Sequence, residues 1–184
     1  MKRLSYRPRG STRIIRRMSQ MVTQHEAGIV TLPVSEWRAY KEARLRALSE
    51  DPQAFARTHA ESAALPDEMW QARLQSVADG HDWLFFACLD GEIVGMMGAY
   101  RPKDVEGTAV IWGVHVDRTR RGQGIGGKLM ARLLDELRRA GIERVMLTVS
   151  REQAAAVGLY KKFGFAVVGD GREHIEYAME RNLQ

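Results

Sequence analysis

The segment from Trp112 to Gly127, WGVHVDRTRRGQGIGG, combines residue types that can bind a phosphate group. An apolar run leads to a turn with three arginines, and four glycines then open onto an amphipathic helix. Glycine lets a ligand approach the main chain, and a helix start offers unpaired N–H groups and the positive end of the helix dipole. Guanidinium groups pair with phosphate oxygens. The segment therefore predicts a site for phosphate or pyrophosphate.

The stretch from Gly122 to Gly127 also matches the dinucleotide fingerprint G-x-G-x-x-G. That fingerprint follows the first strand of a doubly wound sheet and precedes an acidic residue at a strand end. Here three strand-like segments come before it, only 57 residues follow, and the nearest acid, Glu152, begins a helix. The context disfavours NAD binding. A loop that is rich in glycine only for helix–sheet packing is the other alternative.

The elements that must position this segment predict one α/β domain with a mixed sheet. Apolar residues at helical spacing predict four helices, and alternating or continuous apolar runs predict six strands. The helices cover about 35–50, 66–79, 125–140 and 152–163, and the strands 83–89, 92–100, 108–116, 145–149, 165–168 and 174–180. Asp90-Gly91 predicts a two-residue hairpin turn between the first two strands.

Helix ends and buried faces follow from the same pattern. Ser35 is expected to cap the first helix, and Asp51-Pro52 to end it. Gly141 is expected to end the third. The second helix should bury Met69, Trp70, Leu74 and Val77, and the fourth Ala155, Ala156, Leu159 and Phe163.

The positive charge is concentrated in residues 1–27, which hold seven of the 28 basic residues and one of the 23 acidic ones. The remainder, with 21 basic and 22 acidic residues, is nearly neutral. We expect a disordered basic tail before a domain that spans residues 28–184. The favoured interpretation is a solvated extension, or residues upstream of a start at Met18 or Met21. A nucleic-acid contact and an organelle transit peptide are alternatives that concern the tail alone.

The composition of the chain limits the cellular compartments in which we expect the protein. No apolar stretch approaches the ~20 residues of a membrane-spanning helix, and no secretory signal is evident. The only cysteine, Cys88, lies in a predicted strand and is interpreted as a small core residue in a reducing compartment. No Cys/His spacing predicts a metal site. We expect a cytoplasmic protein with no membrane contact.

The sequence from Val114 to Gly127, followed by a long amphipathic helix, resembles the acetyl-CoA signature of the GNAT N-acetyltransferases. The core of that signature, [Arg/Gln]-x-x-G-x-[Gly/Ala], is matched by Arg121, Gly124 and Gly126. A second segment, QAAAVGLYKKFGF at 153–165, is similar to the family pattern N-x-x-A-x-x-L-Y-x-x-x-G-F. The resemblance covers about residues 30–180. It implies a single-domain GNAT-like fold, with a mostly antiparallel sheet of about six to seven strands flanked by about four helices.

The resemblance also implies the roles of individual residues. Acetyl-CoA would be the co-substrate, and no metal would be needed. The coenzyme A pyrophosphate would contact the loop, the pantetheine arm would pair with the preceding strand, and an arginine would hold phosphate. The residues are Gly122, Gln123, Gly124, Ile125, Gly126 and Gly127 for the loop, Val114, His115 and Val116 for the strand, and Arg121. Tyr160 would be the general acid beside the sulfur, and Gln153 stands where the family has asparagine.

In the family, the pantetheine strand and the next strand separate to admit the acetyl thioester, and Gly113 is the expected bulge. A backbone N–H of the Val114–Val116 strand would bind the oxyanion. Alternation puts His115 on the face opposite Val114 and Val116. The general base stays open: a water relay is one possibility. The side-chain candidates are Glu92, Glu143, Glu152 and His174.

The acceptor site is implied to form from the first two helices, their loop and the last strands. Candidates there are Trp37, Tyr40, Arg44, Phe55, Trp70, His174 and Tyr177. We expect a small-molecule or peptide amine as the acceptor and a monomer or a homodimer. The rival hypothesis is a GNAT-like module that binds acyl-CoA as a sensor or scaffold without turnover.

Overall fold

The computed structural model describes residues 26–171 and 174–183, which form one mixed sheet of seven strands with helices on both faces. The strand order is β1-β2-β3-β4-β5-β7-β6, and every neighbouring pair is antiparallel except β4 and β5. The strands are β1 Gly28–Val30, β2 Asp82–Leu89, β3 Glu92–Tyr100, β4 Thr108–Val116, β5 Arg144–Ser150, β6 Ala166–Asp170 and β7 Glu176–Asn182.

Five helices accompany the sheet in the described residues: α1 Trp37–Glu50, α2 His59–Ala63, α3 Asp67–Ala78, α4 Ile125–Arg139 and α5 Ala154–Lys162. Short 3₁₀ turns occupy Val34–Glu36, Pro52–Ala54 and Arg118–Arg120. The predicted fold class is confirmed. The described helices include none that is long and apolar enough to cross a membrane.

The sheet separates two apolar cores because its strand residues alternate between faces. On one face Phe85 packs with the apolar stripe of α4, including Leu133. On the other, Phe86 packs with Trp70 of α3 and with Tyr40 of α1. Both cores consist of buried apolar side chains, and protein interiors of this kind are closely packed, so the sheet is a firm frame for the ends of its central strands.

A bulge at Gly113 and a short parallel ladder create the opening between β4 and β5. Trp112 pairs with Gly98 and His115 with Met96, so β4 has one extra residue there, and Gly113 takes a positive φ of 67°. The parallel ladder to β5 pairs only the first three residues of each strand, Thr108 to Val110 with Arg144 to Met146. The later halves of the two strands are not paired with each other. The expected bulge and separation are confirmed.

Several local predictions were wrong. Ser35 lies in the 3₁₀ turn, and α1 begins two residues later without a side-chain cap. Helix α2 was missed, although Thr58 and Glu61 form a capping box whose T-x-x-E spacing is visible in the sequence. Strand β1 was also missed, because three residues are too few to show a period.

Two helix faces also differ from the prediction. Met69 is 52% exposed because the buried stripe of α3 runs through Trp70 and Leu74 at i, i+4 spacing. Helix α5 lies at the rim of the sheet and buries only a narrow stripe, Val157 and Tyr160. The predicted set of Ala155, Ala156, Leu159 and Phe163 is exposed or half-buried.

The predicted basic tail lies outside the described residues except for Glu26 and Ala27. Ala27 is already buried in the core and directly precedes β1. Glu26 pairs with Lys128 of α4 at 3.3 Å. The predicted domain bounds and the basic tail both stay predictions.

Candidate active site

A cleft of about 420 Å³ lies where β4 and β5 separate. That volume is in the range of small-molecule sites, about 300–1,000 Å³. Its wall comes from β4, β5, the 3₁₀ segment after α1, the start of α5 and the chain before β7. The residues that line it include Arg44, Phe55, Trp112, Val114, Gln153, Tyr160 and Glu176.

Tyr160 is the buried hydroxyl-bearing side chain at the α5 end of the cleft. It is 4% exposed and packs edge-to-face on Phe165, with ring centres 6.0 Å apart. Burial raises its pKa well above the ordinary value of 10, because the phenolate would lose its solvation. The phenol therefore keeps its proton at neutral pH, and the protonated form is the one that a general acid needs before it acts.

The glycine loop leaves the start of α4 open. Gly122 and Gly124 have φ of 77° and 78°, in the left-handed region that favours glycine. A Cβ on Gly124 would meet no protein atom within 4 Å. The first helical hydrogen bond runs from Lys128 N to Gly124 O at 3.0 Å. The amides before Lys128 lie outside the helical ladder, as an anion site at a helix start requires.

Gly126 has a packing role as well. A Cβ there would lie 3.3 Å from Cδ2 of Leu159, so α4 and α5 approach closely at this residue. A Cβ on Gly127 would be in ordinary contact with Phe163 at 3.9 Å. Helix packing, one alternative for the glycine-rich loop, thus explains why residue 126 is glycine. At Gly122 and Gly124 the left-handed backbone conformation is the reason for glycine.

Two of the three arginines of the turn, Arg118 and Arg121, are bound by acceptors of the chain itself. Arg121 donates to the carbonyl of Val116 at 2.9 Å and forms an ion pair with Asp51. Arg118 pairs with the same carboxylate at 3.4 Å and donates to the carbonyl of Glu50. Side-chain exposure of Arg121 is 46%, so its guanidinium also faces solvent beside the glycine loop.

His115 lies on the face of β4 opposite Val114 and Val116, as alternation predicts. Its imidazole is 3% exposed and lies 3.2 Å from Asp51 and 3.4 Å from both Glu50 and Asp117. Burial alone would raise the pKa of Asp117, but the hydrogen bond to His115 and the charge of Arg46 outweigh it, so that pKa is lowered. The His115 side chain therefore belongs to an ion-pair network beside the cleft, and only its backbone remains available to a pantetheine arm.

Glu50, Asp51 and His115 also offer ligand atoms within 4.8 Å of one another, close enough to hold a metal ion. However, the guanidinium groups of Arg118 and Arg121 already pair with Asp51. The chain thus supplies its own cations to this carboxylate. We interpret the cluster as a structural network that joins the end of α1 to the arginine turn.

The opposite end of the cleft is formed by Arg44, Phe55 and Trp112. The Arg44 guanidinium lies 4.0 Å from the Phe55 ring centre and 5.9 Å from that of Trp112. Its Nη1 is buried and has no hydrogen-bond partner within the described residues. Among the described residues that line the cleft, Glu176 supplies the carboxylate. Glu176 is the first residue of β7 and falls inside the predicted strand 174–180, where no signal separated it from a surface residue.

The other acceptor and base candidates do not line the cleft. Trp37, Tyr40 and Trp70 are core residues, each at most 7% exposed. His174 is exposed and bonds Asp170 at 2.7 Å. The other acceptor and base candidates that lie outside the wall of the cleft are Tyr177, Glu92, Glu143 and Glu152.

The comparisons with known proteins agree with this geometry. The Acetyltransferase (GNAT) family profile matches residues 42–165, more than half of the chain. This chain belongs to the GNAT acetyltransferase family, which confirms the resemblance found in the sequence.

Two curated relatives show how similar this chain is to known acetyltransferases. The chain is similar to the L-amino acid N-acetyltransferase AaaT of Escherichia coli, with 28% identity over 161 residues that cover 85% of this chain and 90% of the relative. It is 32% identical over 133 residues to the mycothiol acetyltransferase of Brachybacterium faecium, covering 71% of this chain and 38% of that longer protein.

Solved structures show the same fold. The PaiA N-acetyltransferase of Thermoplasma acidophilum, in complex with coenzyme A, has a TM-score of 0.71 at 16% identity and covers 85% of this chain and 98% of its own. YncA of Salmonella typhimurium, with its cofactor acetyl-CoA, has a TM-score of 0.70 at 20% identity and covers 86% and 94%.

Proposed function

We propose that this protein transfers an acetyl group from acetyl-CoA to a primary amine, by direct attack in a ternary complex. The observation that carries the proposal is Tyr160, a buried phenol with a raised pKa in the wall of the cleft between β4 and β5. Family membership and the open glycine loop support the same conclusion.

Coenzyme A would span the loop and the cleft. The pyrophosphate would accept hydrogen bonds from the amides of Gly122 to Gly127, and Arg121 would pair with a phosphate. The pantetheine arm would add to Val114–Val116 like a strand, using main-chain groups that β5 does not pair with. Gln153, which lines the cleft at the start of α5, has an amide that can bond the arm. The bound states of the two solved relatives support this cofactor.

The reaction needs a neutral amine, a stabilised oxyanion and a proton for the leaving group. The amine nitrogen attacks the thioester carbon, and a backbone N–H of β4 near the bulge holds the oxyanion. The C–S bond then breaks, and Tyr160 gives its proton to the thiolate of coenzyme A. The proton lost by the amine passes to Glu176 or to water, because Glu176 is the cleft carboxylate within the described residues.

The acceptor is proposed to be a small molecule. A cleft of about 420 Å³ suits a compact amine. The relatives named for L-amino acid and mycothiol acetylation also act on small molecules. A peptide N-terminus is the alternative acceptor. Acetylation of a peptide N-terminus in a panel of amines would replace the small-molecule assignment.

The test is release of the coenzyme A thiol with acetyl-CoA and a panel of amines, together with mass detection of the N-acetyl product. Thiol release that depends on the amine supports transfer. The rival hypothesis is an acyl-CoA sensor or scaffold. It predicts saturable acetyl-CoA binding with no release above the rate without an amine.

The proposed compartment is the cytoplasm. Cys88 is a free, buried thiol, and burial raises its pKa to about 11, so it is protected from oxidation. A cysteine of this kind suits a reducing compartment but does not require one. Detection of the full-length protein in a membrane or secreted fraction would contradict this assignment.

A further inference from the structure

Arg44 places a positive charge in the wall of the cleft, and within the described residues it forms no ion pair with a carboxylate. It extends from α1, and its Nη1 is buried with no hydrogen-bond partner in the described part of the chain. Three other arginines around this end of the sheet, Arg46, Arg118 and Arg121, each form an ion pair with an aspartate. Arg44 therefore differs from its neighbours in lacking a carboxylate partner.

The charges around Arg44 also distinguish it from these three arginines. Burial is the largest cause that lowers the pKa of Arg44; Tyr40 raises this pKa, and the positive charges of Arg73 and Arg57 each lower it by a smaller amount. Arginine nevertheless stays protonated at neutral pH, because its ordinary pKa exceeds 12. A buried cation beside other cations is costly unless an anion completes its surroundings. A ligand that brings an anion would remove that cost.

The position of the guanidinium relates the anion to the reaction. Nη1 lies 3.3 Å from the place where a Cβ on Gly113 would stand, so the cation adjoins the β4 bulge. The guanidinium carbon of Arg44 lies over the Phe55 ring, 4.0 Å from the ring centre. A fixed plane presents the two parallel N–H donors that match a carboxylate. An anion bound there lies near the point where the two strands separate.

We propose that Arg44 binds the carboxylate of the acceptor, and that the acceptor is a free α-amino acid. This inference rests on the proposed acetyl transfer and assigns its substrate class. An α-amino acid has its amine two bonds from the carboxylate carbon, so a carboxylate on Arg44 keeps the amine near the bulge. The carboxylate of Glu176, in the same wall, attracts the ammonium group of the amino acid before that group loses its proton. The charged groups of polyamines and aminoglycosides are all positive, so the positive charges of Arg44, Arg57 and Arg73 disfavour their binding.

The experiment compares matched acceptors, the L-amino acids and their amides, which share the side chain and the amine but differ in the carboxylate. For wild type we expect kcat/KM to be about 30- to 100-fold higher for the acid than for its amide. Arg44→Gln should abolish that preference by lowering kcat/KM for the acid and leaving the amide within about threefold. The different amine pKa values of acid and amide cancel, because they are the same for both proteins.

Two further variants separate charge from structure. Arg44→Lys keeps the charge without the planar fork and should restore part of the preference. Arg38→Gln removes an exposed arginine of the same helix that stacks on Trp37 at 4.3 Å, and it should keep the wild-type preference. An equal loss for acids and amides in Arg44→Gln would show a structural role and overturn the proposal. Acetylation of polyamines in preference to amino acids would also overturn it.

A binding measurement distinguishes this failure from failure of the proposed function. Calorimetry with coenzyme A-saturated protein reports amino-acid binding without any chemistry. Binding that is lost in Arg44→Gln, with no acetyl transfer to any amine, would keep the carboxylate site and refute the transferase. Transfer to amines that carry no carboxylate, together with no amino-acid binding, would keep the transferase and refute the site.

Discussion

Arg121 and Asp51 form an ion pair between the arginine turn and the end of α1. The same arginine matches the phosphate-binding position of the family signature, and its side chain is 46% exposed beside the glycine loop. A carboxylate of the chain therefore pairs with the guanidinium group that is proposed to bind a phosphate. A phosphate with two negative charges competes well with one carboxylate for a guanidinium group.

We first predict that Arg121→Gln weakens acetyl-CoA binding. Loss of a charge-assisted contact should raise Kd about 10- to 30-fold, with little change in kcat at saturating acetyl-CoA. Calorimetry measures the Kd. Arg139→Gln, at the exposed far end of α4, is the control and should bind like wild type. Equal Kd values for Arg121→Gln and wild type would remove Arg121 from the phosphate site.

The second prediction concerns Tyr160→Phe, which removes one hydroxyl and keeps the ring that packs on Phe165. Loss of the proton donor should lower kcat by about 10²- to 10³-fold. Acetyl-CoA affinity should stay within about twofold. Tyr100→Phe, at the partly exposed end of β3, is the matched control. Turnover of Tyr160→Phe at the wild-type rate would refute the general-acid role.

A third prediction follows from the direction of the Tyr160 pKa. A general acid acts in its protonated form, and burial moves its deprotonation above the ordinary pKa of 10. The kcat should therefore rise with pH as the amine is deprotonated and then stay level to about pH 10. The profile is measured at saturating substrates, with circular dichroism as the check on folding. A decline of kcat between about pH 8 and pH 9.5 in folded protein would contradict a raised pKa.

The fourth prediction uses the glycine loop. Gly124→Val fills the space at the helix start and strains a left-handed backbone, so acetyl-CoA should no longer raise the melting temperature. The strain alone costs about 1–2 kcal/mol. Gly141→Val has the same strain at the other end of α4, with no atom within 4 Å of its Cβ, and should keep the acetyl-CoA response.

Gly126→Val is a poorer test of binding, because its Cβ would press on Leu159 and lower the free energy of unfolding as well. An acetyl-CoA response that persists in Gly124→Val would separate the loop from the cofactor. If NADH stabilises the wild type and acetyl-CoA does not, the dinucleotide alternative would replace the present account.

Local signals in the sequence predicted the frame of the site. The bounds of β3 and β4, the Asp90-Gly91 turn and the bulge at Gly113 are all set by residues within a few positions of one another. The resemblance to the family motifs supplied the proposed roles of the loop and of Tyr160, and these roles stay predictions. These features could be predicted because turn chemistry and strand alternation act over short distances.

The remaining features depend on contacts between distant parts of the chain. The pairing of Arg121 with Asp51 joins residues 70 positions apart. Among the described residues Arg44 forms no ion pair, and this depends on which distant side chains surround it, which no local pattern reveals. Glu176 enters the cleft because β7 lies beside β5 in the sheet. Sequence reasoning could identify the type of these residues but not their neighbours.

The central claim is that this protein moves an acetyl group from acetyl-CoA to an amine with Tyr160 as the acid. The most direct measurement follows coenzyme A thiol release and N-acetyl product together, for wild type and Tyr160→Phe, with acetyl-CoA and a panel of amines that includes the L-amino acids. The account predicts stoichiometric thiol and product from wild type and a loss of about 10²- to 10³-fold in kcat for the variant. Acetyl-CoA binding without amine-dependent release from wild type would contradict it.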